Sequence, residues 1–262
     1  MSILEAILLG IIQGLTEFLP VSSSGHLELG KAILGVEAKE DVTFSIVVHG
    51  ATVLSTIVVF WKDILELIRG ALTFKWNEQT QYIAKIAISA IPVLIVGLFF
   101  KDQVESLFNN NVLLVGCMLL VTGTLLSFTY RAKKREGDIT YSKALLIGLA
   151  QAIAVLPGIS RSGATIATGL IAGVDKRKAA RFSFLMVLVP ILGANFLEII
   201  DGKLTDGNTT LAPLALGFVA AFISGVLACK WMITIVTRGK LIYFAYYCFT
   251  VGAIAIVCHF SL

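Results

Sequence analysis

A chain of 262 residues with 57% hydrophobic residues, 15% charged residues and a mean hydropathy of +0.89 is no ordinary soluble domain. Its net charge of +4 is modest and gives no reason to expect a nucleic-acid partner; the placing of the basic residues is more useful than their sum. Cys117, Cys229, Cys248 and Cys258 stand singly in apolar runs without metal-ligand spacing and read as packing residues.

Apolar runs cover roughly 3–19, 44–61, 83–100, 112–129, 143–173 (interrupted), 182–200, 211–229 and 241–260. Most approach the ~20 residues that cross the hydrocarbon core, so an all-α polytopic membrane protein is expected, one integral membrane domain over 1–262. The first run lacks a basic leader region and a small-residue cleavage site, and reads as retained structure. It carries Gln13 and Glu17, four apart and so on one helix face. A carboxylate near a helix C-terminus opposes the macrodipole, and at membrane depth it needs a cation, a metal ion or a proton.

Within QGLTEFLPVSSSGH (Gln13–His26), Pro20 forbids continuation of the helix and drives Leu19 out of the α region. Ser22, Ser23 and Ser24 suit caps for a returning helix; with His26 beside them they also suit a nucleophile and its titratable base. Gly25 lets a ligand approach the backbone. His26 to Gly35 spans only about 15 Å as helix, half the core thickness, so 3–19 and 26–35 are expected to form a re-entrant hairpin.

Three spans follow (44–61, 83–100, 112–129), the first carrying His49 as a candidate pocket residue. The run 143–173 is then interrupted by LPGISRSGAT (Leu156–Thr165). Arg161 lies there between Ser160 and Ser162, flanked by Gly158 and Gly163, with Thr165 one turn on. A permanent cation in a membrane segment needs an anion, and guanidinium is the planar, bidentate partner of phosphate. The free N–H groups of the following half-helix face the same break. A structural ion pair with Glu17 is the competing role for Arg161. Three further spans complete the chain, with His259 near the last interface.

The two breaks are copies. Residues 6–45 slid onto 144–183 give 12 identities in 40 positions, among them Gln13/Gln151, Ser22/Ser160, Ser24/Ser162, Gly25/Gly163 and Phe44-Ser45/Phe182-Ser183. Lys and Arg number 15 in the connections 62–82, 130–143, 174–181 and 230–240, against 4 in 28–43, 101–111 and 201–210. The positive-inside rule makes the first group cytoplasmic. A hairpin entered from outside plus three spans then leaves the second copy inverted, its hairpin entered from the cytoplasm. The expected fold is two inverted repeats, 1–130 and 140–262, each a re-entrant broken hairpin followed by three transmembrane helices. Irregular backbone at that depth belongs in a protein-lined or wet cavity.

At these motifs the chain resembles the undecaprenyl-diphosphate phosphatase family, also called bacitracin-resistance proteins, over essentially its whole length. The family's Glu-or-Gln and Glu pair falls on Gln13 and Glu17, and its PGxSRSG motif on Pro157–Gly163, with Thr165 also matching. The resemblance implies hydrolysis of undecaprenyl diphosphate to undecaprenyl phosphate in the bacterial cytoplasmic (inner) membrane, recycling the lipid carrier for cell-wall synthesis and conferring bacitracin resistance. It also implies a homodimer and contact with membrane lipids.

On this reading Arg161, Ser160, Ser162 and Thr165 bind phosphate, Gln13, Ser22 and Ser24 help to hold the head group, and Ser23 is the preferred nucleophile, with His26 as nucleophile and direct attack by water as the alternatives. His26 or Glu17 takes the Ser23 proton. Glu17 is also the candidate ligand of a divalent cation, magnesium or calcium; many members have Glu where this chain has Gln13, which supplies no second charge. The competing class is a lipid-phosphate flippase or secondary transporter, which is also built on inverted repeats but needs no nucleophile–base pair.

Overall fold

The structure, a computed structural model, describes residues 1–34, 41–107, 111–131, 136–200 and 210–261. Gly35, the expected end of the returning segment, lies outside them, as do Lys39, Lys133, Lys134, Arg135 and Lys203 of the charge count. The described residues form thirteen helices: α1 (Ile3–Phe18), α2 (Ser23–Leu34), α3 (Asp41–Val59), α4 (Trp61–Ala71), α5 (Glu78–Phe99), α6 (Lys101–Ser106), α7 (Val112–Arg131), α8 (Tyr141–Ile153), α9 (Arg161–Ile171), α10 (Lys176–Met186), α11 (Leu188–Ile200), α12 (Leu211–Arg238) and α13 (Ile242–Ser261).

Ser2 and Glu5 start α1 with a capping box, each side chain bonded to the other residue's N–H. The helix stops before Pro20, where Leu19 is extended at φ −71°, ψ 144°. Ser22 takes a left-handed φ of 70°, and α2 begins at the next residue. Helix α2 doubles back along α1, so that a Cβ on Gly30 would lie 3.3 Å from Leu9 and 3.5 Å from Ile12. The second break is built alike. Thr140 caps α8, the chain turns through Gly158 at φ 95°, and Ser160 caps α9 by accepting from the Gly163 N–H at 3.0 Å. Helices α2 and α9 start at positions equated by the internal repeat, and the paired Gln13 and Gln151 are both fully buried.

Five helical stretches among the described residues are long and apolar enough to cross a membrane: Glu78–Phe99, Val112–Tyr130, Lys176–Leu197, Leu211–Arg238 and Ile242–Phe260. The pair Thr43–Val59 and Trp61–Ala71, bent by 75°, makes a sixth if taken together. The chain is an all-helical, multi-pass membrane protein.

Lipid is as apolar as leucine, so helices within it are held by close backbone approach more than by hydrophobic burial. Helix α1 runs parallel to α12 along such a seam: Gly10 meets Gly217 and Ala220, and Gly14 meets Ala221, Ser224 and Gly225. Phe18 reaches Gly225, about midway along the 28-residue α12, and α1 ends there. Helix α8 packs chiefly on α5, with Gly148 against Ser89, while α7 lies antiparallel to α13 through Gly116 on Gly252 and Gly123 on Ala245. Each hairpin thus leans on a helix from the other half of the chain.

Candidate active site

The two breaks meet inside the bundle. A Cβ on Gly25 would lie 3.2 Å from the Gly158 Cα, and one on Gly163 would lie 3.2 Å from the Pro20 Cβ. The Ser162 hydroxyl donates to the Leu19 carbonyl at 3.2 Å, and Thr122 of α7 clamps the second turn from behind. Thr122 donates to the Gly158 carbonyl and accepts from the Ser160 N–H, both at 3.1 Å.

Glu17 is the hub of this junction. Its Oε1 lies 2.7 Å from the Arg161 guanidinium, and its Oε2 accepts from the Ser23 hydroxyl at 2.7 Å and from the Gln13 amide at 3.0 Å. The carboxylate is only 7% exposed and the arginine 28%. A charge so enclosed is held by its pairing and its hydrogen bonds together. The helix spacing of Gln13 and Glu17 aims both at one place; Pro20 and the left-handed Ser22 turn α2 so that Ser23, its first residue, points back at Glu17. The structure therefore brings together Gln13, Glu17, Ser23 and Arg161.

The remaining candidates stand around them. Ser162 and Thr165 line a cavity with Glu17 and Arg161, closed on the α3 side by Thr52 and Thr56 and elsewhere by Ser183. Its volume, about 20 Å³, is that of roughly one water molecule. Thr165 donates to the Arg161 carbonyl at 2.8 Å and meets the Ser183 hydroxyl at 2.5 Å. Ser22 and Ser24 share a contact at 3.3 Å, the Gly25 N–H bonds Ser22 Oγ at 3.3 Å, and Ser160 is the α9 cap.

His26 is turned elsewhere. Its Nδ1 donates to the Ser22 carbonyl at 2.9 Å, which leaves Nε2 to accept from the Tyr247 hydroxyl at 2.8 Å. His49 donates from Nδ1 to the Ser45 carbonyl at 2.8 Å, one turn before the Thr52 that lines the cavity.

A serine hydroxyl bonded to a carboxylate, beside a guanidinium and the N-terminus of α9, can take up a phosphoryl group. The carboxylate is placed to accept the proton, and the guanidinium and the positive end of the α9 dipole to meet developing negative charge. Among the described residues, no group of three or more His, Cys, Asp or Glu side chains could hold a metal ion by itself.

The profile of a family described as bacitracin resistance protein BacA matches residues 6–254. A protein of Bacteroides fragilis named undecaprenyl-diphosphatase is 57% identical over 97% of both chains, and one of the same name from Parabacteroides distasonis is 55% identical over 98% of both. A more distant one, from Methanobrevibacter smithii, is 40% identical over 97% of this chain and 96% of its own. The chain belongs to the bacitracin resistance protein family.

In this member of the family, the contacts that sequence reading missed come from outside the two motifs. Tyr247 and Thr122 sit in apolar spans with nothing in their local sequence to mark them, and Thr52 and Thr56 are visible only as polar positions of α3. Ser183 did carry a signal: it is one of the residues identical between the two repeats, paired with Ser45.

Proposed function

We infer that this chain removes the terminal phosphate of undecaprenyl diphosphate in the bacterial cytoplasmic membrane, returning the monophosphate carrier to cell-wall synthesis and so conferring bacitracin resistance. The observation that carries this reading is the three-way contact of Glu17 with Ser23 and Arg161, made at the meeting of two chain breaks inside a membrane protein. It is supported by the name shared by the curated relatives and by the match along the chain.

Ser23 Oγ gives its proton to Glu17 and attacks the terminal phosphorus. The bond from phosphorus to the bridging oxygen breaks, and undecaprenyl phosphate leaves, taking the proton from Glu17. Water, deprotonated by Glu17, then releases inorganic phosphate from Ser23 and restores the hydroxyl. Arg161 leaves Glu17 for the phosphoryl oxygens, with Ser162 and Thr165 on the same wall, since a cavity of about 20 Å³ admits no phosphate until that pair opens.

A divalent cation, magnesium or calcium, fits here as a companion of the substrate. Glu17 offers its carboxylate, and Gln13 offers a buried Oε1 that has no hydrogen-bond partner among the described residues. These two would hold the ion together with phosphate oxygens, and it would neutralise charge on the diphosphate.

We also take the hairpins as re-entrant and the halves 1–130 and 140–262 as inverted copies. The parallel run of α1 beside α12, its end midway along that helix and the 15-to-4 division of basic residues support this. The Ser23 hairpin then opens outward, and we assign catalysis to the external face. A flippase would use Arg161 and the serines but not a hydroxyl seated on a carboxylate, so the 2.7 Å contact favours the hydrolase.

Phosphate release by purified protein given undecaprenyl diphosphate is the test. Ser23→Ala should lower turnover by about three orders of magnitude, the scale of losing an activated nucleophile, and chelator should lower wild-type turnover until magnesium or calcium is restored. Near-normal turnover in a folded Ser23→Ala sample removes the serine route; indifference to chelator removes the cation.

A further inference from the structure

Below the Ser23 turn, α1, α12 and α13 leave a groove of about 650 Å³ that the reaction does not use. Leu15, Leu19 and Val21 form one wall, Trp231 of α12 and Tyr243 and Phe244 of α13 the other, and Trp231 packs edge-on to Phe244 at 6.5 Å. Its mouth is different in kind. Arg238 and Lys240 line it, both exposed and neither paired with an acid among the described residues. A third cation joins them: α12 ends at Gly239, left-handed at φ 70°, and the Lys176 ammonium lies 2.5 Å from where a Cβ on that glycine would sit.

Lys176 is accounted for as a cation at a helix C-terminus. Arg238, in the last turn of α12, is accounted for in the same way; Lys240, beyond the helix end, is not, and three cations gathered round one glycine make a site complementary to an anion. Arg238 stands seven residues beyond Trp231, about 10 Å along the helix, so the charges sit at one end of an apolar, aromatic trough. The basic connection 230–240 belongs to the cytoplasmic set.

We propose that this groove binds an anionic phospholipid of the cytoplasmic leaflet, its phosphate between Arg238 and Lys240 and an acyl chain along Trp231, Phe244 and Leu19. The substrate's own tail does not satisfy the groove: with the diphosphate at Ser23, it would bring hydrocarbon, not an anion, to the two cations. The bound lipid also touches the reactive turn. Val21 precedes Ser22, and Tyr247, which lines the groove, gives its hydroxyl to His26. The binding does not depend on the proposed hydrolysis.

Quenching of Trp231 by lipids with brominated acyl chains tests this, in protein carrying Trp61→Phe and Trp76→Phe and reconstituted in phosphatidylcholine bilayers. Brominated phosphatidylglycerol should quench at lower mole fraction than brominated phosphatidylcholine, with each cation contributing about a fivefold preference. Arg238→Gln with Lys240→Gln, which leaves Lys176 in place, should lower the preference about 25-fold while leaving phosphatidylcholine quenching and the circular dichroism unchanged. Equal quenching by the two lipids, or a preference that the double substitution leaves undiminished, overturns the proposal. So does full displacement of phosphatidylglycerol by stoichiometric undecaprenyl phosphate, which would make the groove the substrate's tail site. Because the readout is binding, a catalytically inactive protein could still pass.

Discussion

The base role proposed for Glu17 requires an ionised carboxylate, and a carboxylate enclosed as this one is requires a cation near it. Arg161 is that cation, brought from 144 residues away. Removing it strands a carboxylate with only neutral donors, and breaking a buried pair from one side typically costs about 3–5 kcal/mol. Arg161→Gln should therefore lower the melting temperature of detergent-solubilised protein as well as its activity. Glu17→Gln with Arg161→Gln, which leaves neither charge, should recover most of the stability and none of the phosphate release. An Arg161→Gln protein as stable as wild type would mean that the pair is not holding the two breaks together. The sequence makes this pairing legible because both residues are costly in a membrane and each needs the other's sign. It gives no such handle on the Tyr247–His26 bond across 221 residues, since a tyrosine in an apolar span is ordinary without its partner in view.

Among the elements, the first hairpin is set by two different kinds of information. Pro20 and the serine run announce the break, and α1 and α2 end and begin where those residues dictate. Which helix receives the hairpin is not announced. Gly10 and Gly14 lie four apart on α1, and Gly217, Ala221 and Gly225 repeat at the same interval on α12, so the faces can be read as seams but their mutual pairing cannot. At that seam there is no slack: a Cβ on Gly14 would lie 2.1 Å from the Ser224 Oγ and 2.4 Å from the Ala221 carbonyl, and the second of these is backbone. Gly14→Leu should destabilise by more than the usual 1–3 kcal/mol of an overpacked core and should cut activity by displacing Glu17, which lies on the next turn. Gly193→Ala is the control, because nothing lies within 4 Å of a Cβ there; it should stay within about 0.5 kcal/mol of wild type. Comparable losses in the two variants, read by thermal unfolding, would show that the α1–α12 seam is not what fixes the hairpin.

Across the whole molecule, duplication explains why one chain holds both halves of the site. Each copy supplies a broken hairpin; one has become Glu17 and Ser23, the other Arg161, and the hairpins lean on helices of the opposite half, so neither copy makes the junction alone. Under the inverted arrangement proposed above, hairpins entering from the two membrane faces would meet at mid-depth. The repeat offers its own measure of this. Leu4 and Ser142 are equivalent positions under the alignment of the copies, both are exposed, and each stands in the first turn of its hairpin's leading helix. In a background with Cys117, Cys229, Cys248 and Cys258 replaced by Ser or Ala, Leu4→Cys should react with a membrane-impermeant maleimide on intact cells. Ser142→Cys should react only after the membrane is opened, because four basic residues, Arg131, Lys133, Lys134 and Arg135, precede it in a connection that the positive-inside rule assigns to the cytoplasm. Labelling of both from the same side would mean a parallel duplication; the two breaks would then have entered from one face, and the external opening assigned to the Ser23 hairpin would lose its basis.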